Sequence, residues 1–527
     1  MIMKIKFILA FVLLSFISVH SQINVNSFEL GKYYKALDET PAGNTILDIV
    51  VINDSIWIAT TKGLTRSIDA GLTFKNYYNT PEFGTESISA IGYNKGVIWV
   101  ATAHNTTKNG QSLPEGSGLK YSTDNGNSWT TINQPKDDPS DSSIVYGINN
   151  IRALPVTVDI NNITYDIAFS KNTIWISTFA GGLRKSTDMG QSWQRVVLPP
   201  DNLNQIKPTD VLKFSLQPVA GAFGNESYLN HRVFSVASSD DSTIYVGTAG
   251  GINKSTDNGI SWRKFNRDNQ EFPISGNFVV GINAIPNTQK VWAATWKAEG
   301  QNETYAVSYT FDGGNNWSNF LEGEKAHNFG FITENSGSTF NDTKIYAATD
   351  NGIYLTTNNG DTWFAPANIY DASQNLYISP AETDFYCVSS VLSNNKRNIL
   401  IGSTSGLLKF VPNGNLWEGD WSVYLSSNKL SGNDDTYSFP NPFSPDVEVT
   451  KIKFNLLNTE DVTIRILDFG MNLVRTLAQN YSLSVGDNFI VWDGRDENGK
   501  IVPNGVYFYR IDRGGNDPIF GKIMVLL

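Results

Sequence analysis

The sequence predicts an all-β protein, and three observations lead to that fold class. A short pattern, S-x-D-x-G-x-x-W, recurs along most of the chain, and a strand-like apolar segment precedes each copy. The composition is rich in turn and strand formers, with 44 Gly and 12% aromatic residues among 527. Short strands in repeats of roughly 40 to 50 residues are typical of propellers. Seven repeats therefore predict a seven-bladed β-propeller with four-stranded blades.

The recurring pattern is complete in four copies and degraded in three. The Asp position of successive copies lies 46 to 69 residues apart and is held by Asp69, Asp124, Asp188, Asp257, Asp312 and Asn358. The first copy ends in Phe74 in place of Trp, and a seventh copy keeps only Gly414 and Trp417. The degraded copies still fall at the same place in each repeat.

The pattern has the chemistry of a tight turn between two strands. A short Asp or Asn side chain accepts hydrogen bonds from nearby backbone amides, and Gly adopts a backbone angle that most residues avoid. The terminal aromatic residue is then expected to pack into the blade. The pattern resembles the Asp-box repeat of sialidases, sortilins, xyloglucanase-type glycoside hydrolases and photosystem II assembly propellers. This resemblance implies that the Asp residues are structural rather than catalytic or metal-binding.

A second repeated segment supplies one strand of every blade. Its seven copies are Ile56 to Thr60, Ile98 to Thr102, Ile174 to Thr178, Ile244 to Thr248, Val291 to Thr295, Ile345 to Thr349 and Ile399 to Ser403. With the apolar run before it and the short strands on either side of the box, one repeat makes four strands. A row of blades has to close, because a free sheet edge is unpaired. We expect residues 32–35 to help complete the last blade, and residues 417–425 are the alternative for the same place.

The composition limits the possible functions. A net charge of -11 and a pI near 5.0 argue against nucleic-acid binding, which needs a basic surface. The sequence has no Gly-rich phosphate loop, Ser-His-Asp order or Cys/His cluster, so we expect no cofactor and no metal. The single cysteine, Cys387, lies in a strand-like run and is expected to be a buried, unreactive thiol.

The first 21 residues have the features of a secretory signal peptide. Lys4 and Lys6 precede an apolar run over residues 7–19, which is short for a membrane span. We expect cleavage after Ser21 and no later membrane span. The mature chain then begins with the propeller, at residues 22–425, and has no internal disulfide because it contains one cysteine.

A polar linker at residues 426–436 separates the propeller from a different domain at residues 437–527. The domain contains P-N-P-F at residues 440–443 and W-D-G-R-D from Trp492, and it ends in G-K-x-M-V-L-L. These motifs resemble the FlgD Ig-like domain, which overlaps the C-terminal sorting domain of the type IX secretion system. The resemblance implies an Ig-like β-sandwich and, as a partner, the type IX secretion machinery.

The C-terminal domain departs from its family at one point. The family usually ends in a basic residue, whereas this chain ends in Leu526 and Leu527. A plain β-sandwich stalk is therefore the alternative. We expect the domain to fold independently around inward-facing residues, which are Ile452, Phe454, Val462, Ile464, Ile466, Trp492, Val506 and Phe508.

The strand order predicts which face of the propeller carries a site. The boxes share a face with the turns between first and second strands, so the long loops gather on the opposite face, which we call the loop face. Binding usually resides in long loops on a rigid scaffold. The long loops span residues 103–116, 130–163, 194–230, 263–277, 296–304 and 364–383. The candidate ligand-binding residues of this face are Trp296, Phe179, His104, His231 and His327.

A glycosidase would need two carboxylates of the loop face on either side of one glycosidic bond. The candidates are Glu115, Asp137, Asp141, Asp210, Glu226, Asp268, Glu271, Glu299, Glu303, Asp371 and Glu382. Sialidases need three arginines around a carboxylate, one in an R-I-P motif that this chain lacks. Xyloglucanase-type enzymes form a cleft between two propellers, and the repeats here suffice for one.

These patterns favour an exported, non-catalytic propeller that binds a glycan or a protein at the cell surface or outside the cell. The C-terminal domain would serve secretion or surface attachment, which places the protein in the medium or on the outer membrane. The alternative is a glycoside hydrolase, sialidase-like or xyloglucanase-like, that acts through carboxylates of the loop face.

Overall fold

The computed structural model describes residues 40–217, 228–298, 300, 302–333, 343–373, 376–393, 396–426, 436–445, 449–483 and 486–527. Residues 40–527 form one compact unit. The predicted signal peptide, residues 32–35 and most of the predicted linker lie outside the described residues. Among the described residues the structure is all-β, with 3-10 turns at Leu229–His231 and Pro380–Glu382.

The first four blades and their connections contain twenty strands. Blade 1 has β1 Ile46–Ile52, β2 Ser55–Thr60, β3 Gly63–Ser67 and β4 Lys75–Asn76. Blade 2 has β5 Ser87–Asn94, β6 Val97–Lys108, β7 Gln111–Ser122 and β8 Thr130–Ile132, and β9 Ser143–Tyr146 and β10 Asn149–Ala153 follow it. Blade 3 has β11 Thr164–Ser170, β12 Thr173–Thr178, β13 Gly182–Ser186 and β14 Gln194–Arg195, followed by β15 Gln205–Ile206 and β16 Ser215–Leu216. Blade 4 has β17 Val233–Ser238, β18 Ile244–Thr248, β19 Gly251–Ser255 and β20 Trp262–Phe265.

The last three blades contain the next thirteen strands. Blade 5 has β21 Phe278–Ala284, β22 Val291–Trp296, β23 Ala306–Thr310 and β24 Ser318–Phe320. Blade 6 has β25 Ala326–Thr333, β26 Thr343–Thr349 and β27 Gly352–Thr356, followed by β28 Ile369–Asp371 and β29 Leu376–Ile378. Blade 7 has β30 Phe385–Ser393, β31 Lys396–Ser403, β32 Gly406–Pro412 and β33 Gly419–Tyr424.

The blades follow the predicted order, with small variations at their outer edges. Each is an antiparallel meander, and five of the seven sheets have four strands. Blade 4 gains β15 as a fifth strand, and blade 6 ends in a single bridge between Leu355 and Phe364. The outer place in blade 7 is taken by β33, so the second of the two sequence candidates, residues 417–425, completes the last blade.

The ring closes between blade 7 and blade 1 by apolar packing. Ile46, Ile49 and Ile56 of blade 1 share a buried cluster with Cys387, Val391 and Leu400 of blade 7. The backbone amide of Gly406 donates a hydrogen bond to the Asn44 carbonyl at 2.8 Å. Closure therefore needs no exchanged strand among the described residues.

The second strand and the following box interlock from blade to blade. An alanine methyl group at Gly126, in the box of blade 2, would lie 2.5 Å from the ring of Trp57 in blade 1. The hydroxyl of Tyr77 donates a hydrogen bond to the Gly126 carbonyl at 2.8 Å. Gly259 of blade 4 stands in the same relation to Trp175 of blade 3. The box glycine thus leaves room for an aromatic ring of the preceding blade.

The C-terminal domain is a sandwich of two antiparallel sheets with its own core. The strands are β34 Thr436–Phe439, β35 Thr450–Leu456, β36 Glu460–Leu467, β37 Leu473–Leu483, β38 Gly486–Trp492, β39 Gly505–Arg513 and β40 Asn516–Val525. The sheet orders are β34-β35-β38 and β37-β36-β39-β40. In β39 the buried apolar residues are Tyr507, Tyr509 and Ile511, so the sequence prediction of Val506 and Phe508 was wrong by one residue. A one-residue shift reverses every side chain of a strand.

The domain also packs against the propeller through the β28–β29 hairpin. Val449 and Val491 join the buried cluster that contains Ile369 and Leu376 of the hairpin. Lys451 is 4% exposed, and its burial lowers the pKa of its amine to about 8, partly offset by the charge of Asp371. The C-terminal sandwich therefore shares buried surface with blades 6 and 7.

Candidate functional site

The innermost strands of the seven blades surround a central channel. The channel has a volume of about 800 Å³ and is lined by residues from all seven of these strands. Every innermost strand carries a β-bulge near its first residue, which is its end at the loop face. The bulged residues are Leu47, Ser89, Tyr165, Phe234, Val280, His327 and Tyr386. A bulge re-aims one side chain relative to the strand's alternation, and these seven residues line the channel.

Aromatic rings form a continuous arc at this mouth, from blade 3 to blade 7. Neighbouring rings have centroids 4.6 to 6.2 Å apart, mostly edge to face. We call this group the aromatic arc, and its members are Tyr165, Phe179, Phe234, Phe278, Trp296, Tyr305, His327 and Tyr386. Tyr165 is 37% exposed and the others are half-buried. The arc thus presents accessible ring surface beside the channel.

Charged groups hold the rim of the arc. His327 Nε2 lies 2.5 Å from Asp350 Oδ1, and Lys325 Nζ lies 3.5 Å from the other oxygen of the same carboxylate. The Lys325 ammonium also lies 5.7 Å from the ring centroid of Trp296. Across the mouth, the guanidinium of Arg232 lies 5.6 Å from the ring of Phe179. These contacts fix the rings in place without covering them.

Trp296 has a structural contact besides its place in the arc. Its indole Nε1 donates a hydrogen bond to the Ala326 carbonyl at 2.7 Å, which joins blade 5 to blade 6. Its backbone pairs with Phe278 across the two strands of its own blade. Removal of Trp296 would therefore disturb the blade contact as well as any ligand.

Two carboxyl groups, of Asp48 and Asp166, lie on the wall of the channel, each directly after a bulge. Asp48 Oδ1 accepts a hydrogen bond from its neighbour's amide, Ile49 N, at 2.8 Å. Asp166 accepts one such bond from Ile167 N at 2.8 Å and a second, from Val236 N of blade 4, at 2.9 Å. The carboxyl groups thus give partners to three backbone amides of the innermost strands. Asn328 makes the same bond to Phe329 N in blade 6.

The channel raises the pKa values of both carboxyl groups. Burial raises the pKa of Asp48 to about 6, partly offset by the amide of Ile49. Burial raises the pKa of Asp166 to about 7, and the charge of Asp48 also raises it. The hydrogen bonds that Asp166 accepts from the amides of Val236 and Ile167 partly offset this increase. No Lys or Arg occurs among the described lining residues, so neither carboxylate has a cationic neighbour on the wall.

The structure brings together three of the five candidate ligand-binding residues. Phe179, Trp296 and His327 belong to the aromatic arc. His231 is 2% exposed and its Nε2 donates a hydrogen bond to the Leu198 carbonyl at 3.2 Å, and burial lowers the pKa of its ring to about 4. The sequence named His231 as a candidate ligand-binding residue, whereas the structure buries its ring against Phe214 and Tyr228. His104 lies on β6, beside the carboxylates of Glu86 at 3.1 Å and Glu115 at 3.5 Å.

Most of the proposed loop-face carboxylates that the structure describes make structural hydrogen bonds instead. Asp137 accepts a salt bridge from the buried Arg184 at 2.7 Å. Glu303 accepts bonds from the amides of Asn277 and Ala298, and Asp371 accepts one from Val423 N. Glu226, Glu299 and the side chain of Glu382 lie outside the described residues. The long loops also extend down the outside of the ring: Tyr146 OH, for example, reaches Ile260 O of a box at 2.8 Å.

The box residues form closed turns on the face opposite the arc. In blade 3, Ser192 N and Ser186 Oγ donate hydrogen bonds to Asp188 Oδ1 at 3.0 and 2.8 Å. The bonds from Ser192 and then Ser186 lower the pKa of Asp188 to about 2. The same turn recurs with Asp69, Asp124, Asp257, Asp312 and Asn358. Each carboxylate is thus occupied by its own turn.

The described residues offer neither a metal site nor a membrane-spanning helix. They contain no group of three or more His, Cys, Asp or Glu side chains placed to hold a metal ion. No helix in the described part of the chain is long and apolar enough to span a bilayer. Cys387 is buried beside the channel wall, and burial raises the pKa of its thiol well above the ordinary value.

Sequence reasoning missed the innermost strands as the source of the site. Tyr165, Phe234 and Tyr386 each stand second in a four-residue segment, T-Y-D-I, V-F-S-V or F-Y-C-V, that begins the first strand of a repeat. His327 occupies the same place in A-H-N-F. Alignment of these first strands against each other would have revealed one variable, often aromatic position directly after the first residue of the strand. The sequence interpretation placed the site in the long loops instead of in these strands.

Comparison with known families identifies the C-terminal sandwich. Residues 444–515 match the FlgD Ig-like domain. The match covers most of the seven strands from β34 to β40, and we use that name for the domain below. No curated protein sequence matches the chain.

Comparison with solved structures identifies the propeller fold. An ancestral GH74 enzyme is similar at a TM-score of 0.50 and 16% identity, over 93% of this chain and 63% of that one. This chain therefore spans less than two thirds of that enzyme. YCF48 from Cyanidioschyzon merolae has a TM-score of 0.40 and 13% identity, with 71% and 97% covered. PorZ of Porphyromonas gingivalis has a TM-score of 0.38 and 15% identity, with 92% and 66% covered. At these identities the likeness shows the fold alone.

Proposed function

We propose that the protein is an exported, non-catalytic propeller that binds a glycan at the aromatic arc. The observation that carries the proposal is the continuous run of accessible rings around an 800 Å³ channel. Flat apolar ring faces with a few fixed polar groups are the usual composition of a small-molecule site. The C–H faces of sugar rings stack on such surfaces. A protein ligand, the other class that the sequence left open, is an outcome of the test below.

Tyr165 is the best residue for testing the site because it is the most exposed ring of the arc. A glycan array identifies ligands, and calorimetry then compares wild type, Tyr165→Ala and Phe272→Ala. Phe272 is a 55% exposed aromatic residue beside the box of blade 5, outside the arc. We expect Tyr165→Ala to weaken binding about tenfold, as for loss of one stacking ring, and Phe272→Ala to leave it unchanged. Glycan binding that depends on Phe272 and not on Tyr165 would contradict the proposal.

A glycoside hydrolase remains the second candidate, and one observation favours it. Asp48 and Asp166 form a pair of carboxyl groups with raised pKa values inside the channel, as a general acid and its partner require. Both are held by backbone amides, which favours a fixed wall over reacting groups. A panel of chromogenic glycosides separates the candidates. Turnover lost in Asp166→Asn supports the hydrolase, and saturable binding without turnover supports the binding protein.

We further propose that residues 437–527 direct export or surface attachment through the type IX machinery. The support is the match to the FlgD Ig-like domain together with the terminal G-K-x-M-V-L-L. Deletion of residues 437–527 in a host with this system should leave the propeller in the periplasm. Because Val449 and Val491 pack on the propeller, limited proteolysis should first establish that the truncated chain is folded. Normal surface levels of a folded truncation would identify the domain as a stalk.

A further inference from the structure

We propose that the channel accepts the ammonium group of an amino sugar, so the glycan bound at the aromatic arc carries free amines. This inference rests on the proposed function and names the ligand class for the same site. It comes from the charges of the channel wall, which the arc alone does not reveal.

The wall of the channel is acidic and lacks a compensating cation. Asp48 and Asp166 both line it, and their charges interact. The described lining residues include no Lys or Arg. Buried carboxylates are normally paired with a cation, because desolvation otherwise disfavours the charged form. A ligand that brings a positive charge between the two carboxylates would stabilise both.

The cations of the rim are already engaged and leave this charge unbalanced. Lys325 lies within 3.5 Å of Asp350 and over the rings of Trp296 and Tyr305. Arg232 lies over Phe179. An anionic sugar would therefore find no free cation in the channel and two carboxylates below it. The rim and the wall together favour a positive ligand over a negative one.

The entrance itself is suited to a cation. Tyr165 precedes Asp166 in the chain, and Phe234 and Tyr386 line the same opening. The faces of such rings attract an ammonium group, with a stronger effect once water is excluded. The same faces stack on the sugar ring that carries the amine. Two polar atoms on the wall, Ser89 Oγ and Asn283 Oδ1, have no partner among the described residues and are shielded from solvent.

A matched pair of probes tests the inference. Calorimetry near neutral pH, where Asp48 is mostly ionised and sugar amines are still partly protonated, compares a tetramer of glucosamine with its fully N-acetylated form. The variants are Asp48→Asn, which keeps the hydrogen-bonding shape seen at Asn328, and Asp54→Asn as a control. Asp54 is exposed in the β1–β2 turn at the opposite end of the same strand.

In the wild type we expect the amine-bearing tetramer to bind at least about tenfold more tightly than the acetylated one. Asp48→Asn should abolish most of this preference and leave the acetylated tetramer unchanged, and Asp54→Asn should change neither. Equal affinities, or a preference that survives Asp48→Asn, would overturn the inference and leave glycan binding intact. The inference would also be overturned if neither tetramer bound. It would equally be overturned if a tetralysine peptide bound as tightly as the amine-bearing tetramer and with the same dependence on Asp48. If no glycan on the array binds, the proposed function fails as well.

Discussion

Replacement of Asp48 by asparagine should stabilise the protein at alkaline pH, and the reason lies in the channel. Burial raises the pKa of Asp48 from 3.8 to about 6, so the folded protein holds this proton more tightly than the unfolded chain does. Stability must then fall as pH rises between these two values and stay low above them. At about 1.4 kcal/mol for each pH unit, ionisation costs up to about 3 kcal/mol. The side chain is half-buried, so this value is an upper limit.

Asparagine removes the charge and retains the hydrogen bond. Asn328 already occupies the equivalent place in blade 6 and accepts the amide of Phe329 at 2.8 Å, as Asp48 accepts that of Ile49. Asp48→Asn also removes a charge that raises the pKa of Asp166. We expect a gain of about 1 to 3 kcal/mol near pH 8 and less than about 1 kcal/mol near pH 4, where the carboxyl is protonated in the folded protein and still partly protonated in the unfolded chain.

Urea unfolding of the wild type and Asp48→Asn at these two pH values measures the effect. The reverse change, Asn328→Asp, is a matched control that places a carboxyl group in the same setting of blade 6. It should destabilise the protein near pH 8, to a lesser degree because Lys325 is close by in the chain, and have little effect near pH 4. An Asp48→Asn variant that is equally stabilised at both pH values, or destabilised near pH 8, would refute the reasoning.

Two further predictions concern the boxes and the blade contacts. Trp262→Ala, at a 2% exposed residue, should lower the free energy of unfolding by about 3 to 5 kcal/mol. Trp193→Ala should cost clearly less because Trp193 is half-buried, and equal losses in chemical denaturation would count against this. Gly259→Ala should cost about 2 to 4 kcal/mol, since φ is +80° and the new methyl group meets the Trp175 ring at 2.5 Å. The control is Gly110→Ala, because Gly110 has a φ of +78° and open space around it, and this variant should lose about 1 kcal/mol of unfolding free energy. A loss as large as that of Gly259→Ala would show that the contact with the Trp175 ring contributes nothing.

The repeats were readable from the sequence because their chemistry is local. Asp188 and Ser186 are two residues apart, and their hydrogen bonds close a turn that any chain with these residues can form. The second strands are equally local, since burial on both faces calls for continuous apolar runs such as Ile174 to Thr178. Seven such units predict a ring, and the FlgD Ig-like domain is marked by its own motifs.

The site was decided by tertiary structure alone. Tyr165 and Tyr386 are more than 200 residues apart in the chain, and only closure of the ring sets them around one channel. Their aim depends on bulges, which interrupt the two-residue alternation that sequence patterns rely on. The same holds for Asp48 and Asp166. Each accepts a hydrogen bond from the backbone amide of the next residue, and their charges interact only because blades 1 and 3 lie on the same channel. The sequence alone determined the repeating unit. The closed ring determined which residues of the innermost strands lie together at the channel.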